Sequence, residues 1–479
     1  MTAHRRAVQI VCTIGPASRE PAVLEGLIDA GMSVARLNFA HGTEDEHREN
    51  IARIRAAGTS RGRTVAILQD LAGPKLRLGP IRGGRVTVLT GSEVTLTTES
   101  IEGTADCLPI PDEHLTKELR AGGPILIGDG AVELEVLEIE PTEIRCRVIV
   151  GGEVASGKGV NVPGGLAARP ILDEKDRRDL ELGVELGIDF VGVSYVRSAE
   201  DLITVRKILR SAGRAIPLVA KIETSLALER LDEILAHSDA VMVARGDLSL
   251  EFPFERVPME QKRIVRVAML AGRPVITATQ MLHSMVTASR PTRAEVNDVA
   301  NAVLDGTDAV MLSDETAVGI RPAHACHTMA RIVEETLNAS PPFPEPPLEG
   351  IDPGLRELVV FARAAVRTAR DVGARAILTW ARGGVAARLL SRHRPTVPIL
   401  APTRFEETSR RLALPYGVRS LYCPTGTLPR ARLEEEIGPV DGSTLMLVVG
   451  HNAGEERRIP WMRLVHVSDA DAWAVDPRA

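Results

Sequence analysis

Eight short apolar segments, separated by stretches of helical character, constrain the fold of this chain more than any other feature. The first three predicted strands lie at 8–15, 34–38 and 64–70. The other five lie at 190–196, 217–223, 240–247, 274–281 and 309–315. Strands that alternate with helices form parallel sheets. Eight βα units in roughly 250 residues are typical of a TIM (β/α)8 barrel, so we expect an α/β fold of that kind. An open doubly wound sheet is the alternative.

The series of βα units is interrupted after the third strand. From 81 to about 162 the sequence has short alternating segments with frequent glycine, which predict an inserted β-rich lid domain. A proline-rich stretch at 341–347 ends the barrel, and five more apolar segments beyond it predict a C-terminal α/β domain. The expected parts are the first barrel segment, the lid, the second barrel segment and the C-terminal domain, at 1–72, 73–165, 166–340 and 350–479.

Composition excludes several classes of function. The 58 Lys and Arg residues and 64 Asp and Glu residues give a net charge of −6, which argues against a nucleic-acid partner. The five cysteines are scattered without a CxxC pair, as is typical of a reduced compartment. No apolar run approaches the roughly 20 residues that span a bilayer, and we find no signal peptide. We therefore expect a cytoplasmic protein without a membrane partner.

Charged residues end the predicted fifth and sixth strands. Lys221 and Glu223 are two residues apart and so share a face, and Asp247 ends the next strand. The carboxyl ends of barrel strands form the active site of this fold. Two carboxylates suit Mg²⁺, and the lysine would stabilise a phosphoryl group or an enolate oxygen. A structural Lys–Glu ion pair is the alternative. Thr279 in the seventh strand is a candidate for binding a substrate oxygen or relaying a proton, although threonine is common in strands.

The second and third strands bring further polar residues to the same edge. Arg36 and Asn38 share a face of strand two, and an arginine fork fits phosphate oxygens. An ordinary surface arginine is the alternative. Asp70 ends strand three, and Lys75 and Arg77 follow at the start of the insertion. An acid and two cations are therefore expected at this edge.

Taken together, these segments resemble the pyruvate kinase family almost from end to end, most clearly over 8–330. The matching motifs are IVCTIGPAS (10–18), ARLNFAHG (35–42), QDLAGPKLR (69–77), GKGVNVPG (157–164), AKIET (220–224), MVARGDL (242–248), TATQML (277–282) and PTRAEVNDVANAVLDGTDAVMLSDETAVG (291–319). The last motif is long and highly specific.

The resemblance implies a barrel with a lid after strand three and a C-terminal α/β domain. It also implies the last step of glycolysis, phosphoryl transfer from phosphoenolpyruvate to ADP to give pyruvate and ATP. The expected cofactor is Mg²⁺, with Mn²⁺ as a substitute, and the expected assembly is a homotetramer. Another Mg²⁺-dependent barrel enzyme acting on phosphoenolpyruvate or pyruvate, such as an aldolase, is one alternative. A catalytically weakened regulatory homologue is the other.

Residue roles carry over through the matching motifs. Glu223 and Asp247 are expected to hold Mg²⁺, and Lys221 to stabilise the transferring phosphoryl group and the enolate. The resemblance assigns phosphate binding to Arg36. Thr279 is expected near the face where the enolate is protonated. The backbone amides of Gly246 and Asp247, with Thr279, are expected to seat the substrate carboxylate.

The remaining carried-over positions concern the nucleotide and a monovalent cation. The expected nucleotide-side residues are Asn38, His41, Arg77 and Lys158. The expected monovalent-cation region comprises Asn38, Asp70, Leu71 and Lys75.

In the cation region this chain departs from the K⁺-dependent relatives. Ala40 and Lys75 replace a Ser and a Glu, and Leu71 and Ala72 replace a more polar pair. An ammonium group has the same charge sign as K⁺, so binding K⁺ beside Lys75 would be repulsive. The sequence therefore predicts activity without K⁺. The alternative is that Lys75 points to solvent.

A second departure lies in the C-terminal domain. The loop at 379–386 lacks the Ser and Thr residues that bind an effector phosphate in many relatives. We therefore expect fructose 1,6-bisphosphate to be a weak activator or none. Four cations in and beyond the loop remain candidates for holding another phosphate: Arg382, Arg388, Arg392 and Arg394.

Overall fold

The chain begins with three βα-type units. The computed structural model describes residues 7–165, 169–348, 351, 353–449 and 460–467. The first elements are β1 (Gln9–Thr13), α1 (Pro21–Ala30), β2 (Met32–Asn38), α2 (Glu44–Ser60) and β3 (Ala66–Asp70). All five residues of β1 and all five of β3 are buried, as expected for barrel strands covered on both faces. Helix α2 begins with a capping box between Thr43 and Glu46.

The insertion after β3 is built from antiparallel and mixed sheet. Its elements are β4 (Leu76–Arg77), β5 (Arg85–Val88), β6 (Glu93–Thr97), β7 (Cys107–Pro109), α3 (Leu115–Glu118), β8 (Pro124–Ile127), β9 (Val132–Ile139), β10 (Glu143–Val150), β11 (Gly152–Ala155) and β12 (Gly159–Asn161). Seven strands form one sheet in the order β4-β12-β8-β9-β10-β6-β7, and β11 pairs with β5. Because β4 and β12 are neighbours, the two connections between barrel and lid lie side by side.

The chain then returns to the barrel. The next elements are α4 (Glu174–Leu186), β13 (Phe190–Val193), α5 (Ala199–Ser211), β14 (Leu218–Ile222), α6 (Ser225–Glu229), α7 (Leu231–His237), β15 (Ala240–Ala244), α8 (Arg245–Glu251), α9 (Val257–Leu270), β16 (Val275–Ala278), α10 (Arg293–Leu304), β17 (Ala309–Leu312), α11 (Asp314–Ala317) and α12 (Pro322–Ala339).

The eight barrel strands close on themselves in the order β1-β17-β16-β15-β14-β13-β3-β2. Strand β1 pairs in parallel with both β17 and β2, so the open doubly wound alternative is wrong. The (β/α)8 barrel with an insertion after strand three is confirmed. All eight strands run in the same direction, and their carboxyl ends therefore meet at one rim.

Four predicted strands extend three residues too far at this rim, because β13 ends at Val193 and β17 at Leu312, and strands six and seven are also too long. Strand six was expected to reach 247, but β15 ends at Ala244 and residues 245–251 form α8. Strand seven was expected to reach 281, but β16 ends at Ala278. Thr279 and Gln280 have φ values of 68° and 54°, in the left-handed region, which cannot continue an extended strand. Their side chains are therefore placed by tight turns.

The C-terminal part is a five-stranded α/β sheet. Its elements are α13 (Arg356–Asp371), β18 (Ala376–Leu378), α14 (Val385–Arg392), β19 (Ile399–Thr403), α15 (Glu406–Arg411), β20 (Val418–Tyr422), α16 (Arg430–Ile437), β21 (Thr444–Val449) and β22 (Trp461–His466). The strand order is β20-β19-β18-β21-β22, with β22 antiparallel. The exact limits of the four expected parts stay predictions, and the ends at 1–6 and 468–479 lie outside the described residues. In the described part of the chain, every helix is too short or too polar to cross a bilayer.

Candidate active site

Charged side chains from strands β2, β3 and β14 meet at the rim. The guanidinium of Arg36 on β2 donates to Asp70 at the end of β3, with an Nε–Oδ2 distance of 2.7 Å, and to the Thr13 hydroxyl at 2.9 Å. The Lys221 ammonium on β14 lies 3.3 Å from Asp70 Oδ1 and 2.9 Å from Glu223 Oε1. These contacts form a continuous row of alternating charge, which we call the rim cluster: Arg36, Asp70, Lys221 and Glu223.

Mutual pairing keeps the inner members of the rim cluster charged. Burial raises the pKa of Asp70, but the nearby charges of Lys221 and Arg36 outweigh it and the pKa is lowered from its ordinary value. Burial likewise lowers the pKa of Lys221, and Asp70 and Glu223 more than reverse this, so the pKa is raised. Lys221 is therefore a buried ammonium at neutral pH, positioned by a hydrogen bond to Ser194 Oγ at 2.7 Å.

The two expected metal ligands lie on either side of Tyr195. The Tyr195 backbone amide donates to Glu223 Oε2 at 2.7 Å, and its hydroxyl donates to Asp247 Oδ1 at 2.8 Å. Lys75 Nζ donates to the same Asp247 oxygen at 2.8 Å. Burial raises the pKa of Glu223. Burial also acts to raise the pKa of Asp247, but Lys75 and Lys221 outweigh it, and the pKa is lowered.

The donor set at this position fits a hard divalent cation. Glu223 Oε1 is buried and accepts no hydrogen bond from a described group, although it contacts the Lys221 ammonium. Carboxylate oxygens suit Mg²⁺, which keeps several waters and takes further ligands from its substrate. Within the described ranges no three or more His, Cys, Asp or Glu side chains are grouped for a metal ion. The arrangement therefore suits a cation that two carboxylates share with a substrate.

Thr279 and Gly246 lie together across the adjoining strand ends. The Gly246 amide donates to Thr279 Oγ1 at 2.8 Å, and that hydroxyl donates to the Ala278 carbonyl at 2.7 Å. Arg245 fixes this turn by donating to the Ala278 and Thr279 carbonyls at 3.1 and 2.6 Å. A β-branched residue with positive φ is strained, and such strain is concentrated at functional sites.

The expected nucleotide-side residues form no hydrogen bond or ion pair with rim-cluster side chains in the described part of the chain, although Asn38 is the register partner of Asp70. Asn38 Oδ1 accepts the Ala40 amide at 3.1 Å, and His41 is exposed. Arg77 and Lys158 are exposed where the lid joins the barrel, and Arg77 donates to the Gly157 carbonyl at 3.1 Å. Among the described residues, none of these four side chains forms a hydrogen bond or ion pair with Lys221. This exposure is compatible with binding a ligand that enters from solvent.

Asp70 and Lys75 of the expected monovalent-cation region pair with different partners in this structure. Asp70 belongs to the rim cluster, whereas Lys75 pairs with Asp247, and its side chain is only 24% exposed. The alternative in which Lys75 points to solvent is therefore wrong for this structure. Leu71 is buried, and its carbonyl accepts the Ser194 hydroxyl at 2.7 Å.

Sequence reasoning missed three residues that support the site. Ser194 and Tyr195 follow β13, and Tyr195 has a φ of 54°. A polar pair directly after the apolar strand Phe190–Val193 was the available signal. Arg245 stands within the Arg-Gly-Asp sequence already singled out, but its role as a clamp on the Thr279 turn depends on contacts 33 and 34 residues away.

Two of the four C-terminal arginines do not have the expected role of loop cations. Arg394 forms a buried ion pair with Asp308 of the barrel, with an NH1–Oδ1 distance of 2.7 Å. Arg392 is 4% exposed and donates to the barrel carbonyl of Leu270. Only Arg382 is an exposed cation of the loop itself. Arg392 and Arg394 therefore join the C-terminal domain to the barrel and do not extend the loop.

The closed barrel holds a buried ammonium between two carboxylates at the carboxyl ends of its strands. Such a site is typical of barrel enzymes that act on anionic substrates. The sequence matches two family models, described as pyruvate kinase, barrel domain, over residues 5–326, and pyruvate kinase, alpha/beta domain, over residues 360–439. The chain belongs to the pyruvate kinase family, and it is a phosphotransferase.

Individual relatives agree with the family models. The chain is 42% identical to the pyruvate kinase of Mycobacterium tuberculosis strain H37Rv, with 88% of each chain covered. It is 40% identical to the pyruvate kinase of Corynebacterium glutamicum, over 94% of this chain and 93% of the relative. A solved pyruvate kinase structure from Cryptosporidium parvum matches with a TM-score of 0.88 and 35% identity, covering 96% of both chains.

Proposed function

We propose that this chain transfers the phosphoryl group of phosphoenolpyruvate to ADP, giving pyruvate and ATP, through the rim cluster. The observation that carries the proposal is the buried Lys221 ammonium, held between Asp70 and Glu223. Arg36 lies beside it on the same row of charges. Phosphoryl transfer depends mainly on positioning and on neutralising charge, and preformed cations at a buried rim supply both.

Lys221 and Arg36 divide the neutralisation between them. Lys221 is fixed by three contacts, so its charge needs little reorganisation as negative charge develops on the phosphoryl and enolate oxygens. Arg36 is 12% exposed on its side chain and still reaches solvent, which suits binding of an entering phosphate. Their separate positions allow one residue to bind substrate and the other to stabilise the transition state.

Glu223 and Asp247 are the residues that would hold Mg²⁺, with Mn²⁺ as a substitute of similar oxygen preference. When bound, the cation would supply Lewis-acid neutralisation of phosphoryl and carboxylate oxygens. Lys75 and Tyr195 contact Asp247, and they would hold this carboxylate in place and keep it ionised.

The turn at Thr279 would seat the substrate carboxylate. Gly246 and Asp247 lie in the first turn of α8, and the backbone amides of a first helical turn favour anions. The Thr279 hydroxyl, which contacts the Gly246 amide at 2.8 Å, would lie near the face on which the enolate receives its proton. Arg245 would act by holding this turn in its strained conformation.

Asn38, His41, Arg77 and Lys158 would contact ADP. Arg77 and Lys158 lie on the lid side, whereas Asn38 ends β2 and His41 follows it on the barrel side. Lid closure would bring the two pairs together around the nucleotide and exclude water from the rim, which limits hydrolysis.

Lys75 would replace a monovalent cation, so the enzyme would work without K⁺. Its ammonium already lies at the rim, at 2.8 Å from Asp247. The Ala40 side chain offers no oxygen ligand for K⁺ in place of the Ser of many relatives. We also propose a homotetramer in the cytoplasm, by similarity to the family.

A coupled assay for pyruvate formed from phosphoenolpyruvate and ADP tests the reaction. ADP-dependent pyruvate with equal ATP supports the proposal. Carbon–carbon bond cleavage or formation without ADP would favour an aldolase-type barrel enzyme. Absence of turnover in well-folded protein would favour the weakened homologue.

A further inference from the structure

A narrow cleft between the barrel and the C-terminal domain collects arginine side chains. Arg273 follows α9 of the barrel, Arg388 and Arg392 lie on α14, and Arg394 lies just beyond α14. Ser391 also lines the cleft. We call this feature the arginine cleft. It is formed by different residues from those of the rim cluster.

The described side chains leave the arginine cleft with an excess of positive charge. Asp308 is the acid that lines it, and this carboxylate is used by Arg394 at 2.7 and 2.8 Å. Arg388 makes only a 3.5 Å contact with the Gly383 carbonyl. Among the described residues, neither Arg388 nor Arg392 forms an ion pair with a carboxylate.

Arg392 is the most buried of these side chains without an acid partner. It is 4% exposed, and its Nε and NH2 groups donate to the carbonyls of Leu270 and Pro347. Its NH1 group is buried and has no partner among the described atoms. An unsatisfied buried donor on a charged group is costly, so this nitrogen is a position where an acceptor is expected.

The charged groups around the arginine cleft do not neutralise its excess positive charge. Burial lowers the pKa of Arg388, Asp239 acts in the opposite direction, and Arg273 and Arg411 lower the pKa further. Asp239 is itself paired with Arg206 at 3.0 Å, and Arg411 is paired with Glu407. The nearby acids are therefore already used by other cations.

We infer that the arginine cleft binds a small tetrahedral oxyanion, such as free phosphate or the phosphoryl group of a small phosphomonoester. Guanidinium forks match the oxygens of phosphate, and an anion would satisfy both the excess charge and the unpaired nitrogen of Arg392. The free space is about 10 Å³, room for one oxygen atom, so one oxygen of the anion would occupy it, and the half-buried Arg388 side chain must shift to admit the rest of the group. Such an anion would tie α14 to the end of α9.

Isothermal titration calorimetry with inorganic phosphate tests this inference on the full-length protein. The rim cluster also binds phosphate in our account, so the comparison is between wild type and Arg388→Gln. We expect the wild type to show two binding events and the variant to lose one, or to bind there about tenfold or more weakly. Arg382→Gln is the matched control, because Arg382 is an exposed cation that does not line the cleft.

Methyl phosphate distinguishes the two sources of the oxyanion. If it gives the same Arg388-dependent event, the site accepts a phosphomonoester; if only inorganic phosphate does so, the ligand is the free ion. Phosphate binding that is identical in the wild type and Arg388→Gln would overturn the inference.

Thermal melting without phosphate separates binding from a structural role. Arg388→Gln removes a half-buried charge that has no acid partner among the described residues, so its Tm should equal or exceed that of the wild type. A large loss of Tm in anion-free buffer would instead assign Arg388 a structural role and contradict the inference. The Arg388-dependent binding event does not rest on the proposed reaction, whereas the event at the rim cluster does.

Discussion

The rim cluster and the arginine cleft both bury cations, but they do so in opposite ways. In the rim cluster, positive and negative groups alternate, and Lys221 contacts two carboxylates. In the arginine cleft, Arg394 uses the lining carboxylate of Asp308, and neither Arg388 nor Arg392 forms an ion pair with a carboxylate among the described residues. The charges of the rim cluster are balanced by the protein's own groups, whereas the arginine cleft lacks a matching anion among the described side chains.

The difference indicates what each region can do. A paired cluster holds its charges in fixed positions before substrate arrives, which is the requirement for stabilising a transition state without reorganisation. An unpaired cluster has much more to gain from a ligand, because the anion supplies the missing partner. We therefore expect catalysis at the rim cluster and binding of a small anion at the arginine cleft.

The largest effect is expected from removing a carboxylate charge at the rim. Glu223→Gln or Asp247→Asn should lower activity roughly 10³-fold or more at ordinary Mg²⁺ concentrations, because the neutral amide is a much weaker ligand for a hard cation. Activity is measured against Mg²⁺ concentration, together with thermal melting. Glu229→Gln, at an exposed position on α6, is the matched control. Near-wild-type turnover in both rim variants would exclude the metal assignment.

Reversing the charge at Lys75 should have the next largest effect. The wild type should run at nearly the same initial rate in tetramethylammonium buffer with or without K⁺ at constant ionic strength. Lys75→Glu should be less active and only partly rescued by K⁺, since Ala40 supplies no ligand oxygen. Lys117→Glu, an exposed lid residue, is the control for the charge change. A many-fold activation of the wild type by K⁺ would contradict the role proposed for Lys75.

Fructose 1,6-bisphosphate should have a small effect or none. The loop at 379–386 has one hydroxyl, that of Thr379, and this residue is buried. Saturation curves for phosphoenolpyruvate, measured with and without the sugar bisphosphate, should differ by less than about twofold in half-saturation, well below an ordinary allosteric coupling. A large shift to lower substrate concentration at micromolar effector would show that the loop binds it by other groups.

The smallest effect concerns the connection between barrel and lid. Asp176 accepts the Ala72 and Gly73 amides at 3.1 and 3.2 Å, and burial, followed by the charge of Asp173, raises its pKa to about 6. A raised pKa means that the folded state favours the protonated acid. Between about pH 4 and pH 6 the wild type should therefore lose stability relative to Asp176→Asn as the pH rises.

Melting of both proteins between pH 4 and pH 7.5 measures this difference. Parallel curves for Tm against pH would exclude a raised pKa at Asp176, whereas divergence confined to the range above pH 6 would place the titration on another group.

Much of the fold could be predicted from sequence, because it depends on local pattern. All eight barrel strands were recognised from their apolar runs. The insertion was recognised from its short segments, in which polar and apolar residues alternate. The ends of β15 and β16 were wrong because the positive φ of Thr279 and the start of α8 depend on contacts with other strands. Lys221, Glu223 and Asp70 were expected at one rim, since parallel strands bring their ends together.

The features that sequence analysis missed depend on contacts between residues that are far apart in the chain. The link from Tyr195 to Asp247 spans 52 residues, and the pair of Arg394 with Asp308 spans 86. No local pattern distinguishes an arginine of the C-terminal loop from one that binds the barrel. Lys75 was expected in the monovalent-cation region, and its pairing with Asp247 joins residues 172 positions apart in the chain.

The most direct test of the account is the kinetic effect of Lys221→Met. Methionine keeps much of the side-chain volume and removes the charge. We predict that kcat for pyruvate formation falls roughly 10²–10³-fold or more, with a much smaller change in KM for phosphoenolpyruvate, because the charge acts mainly as the phosphoryl group transfers. Melting and far-ultraviolet circular dichroism serve as folding controls. A folded variant with unchanged kcat and only a raised KM would contradict the central claim that the paired ammonium of the rim cluster stabilises the transition state.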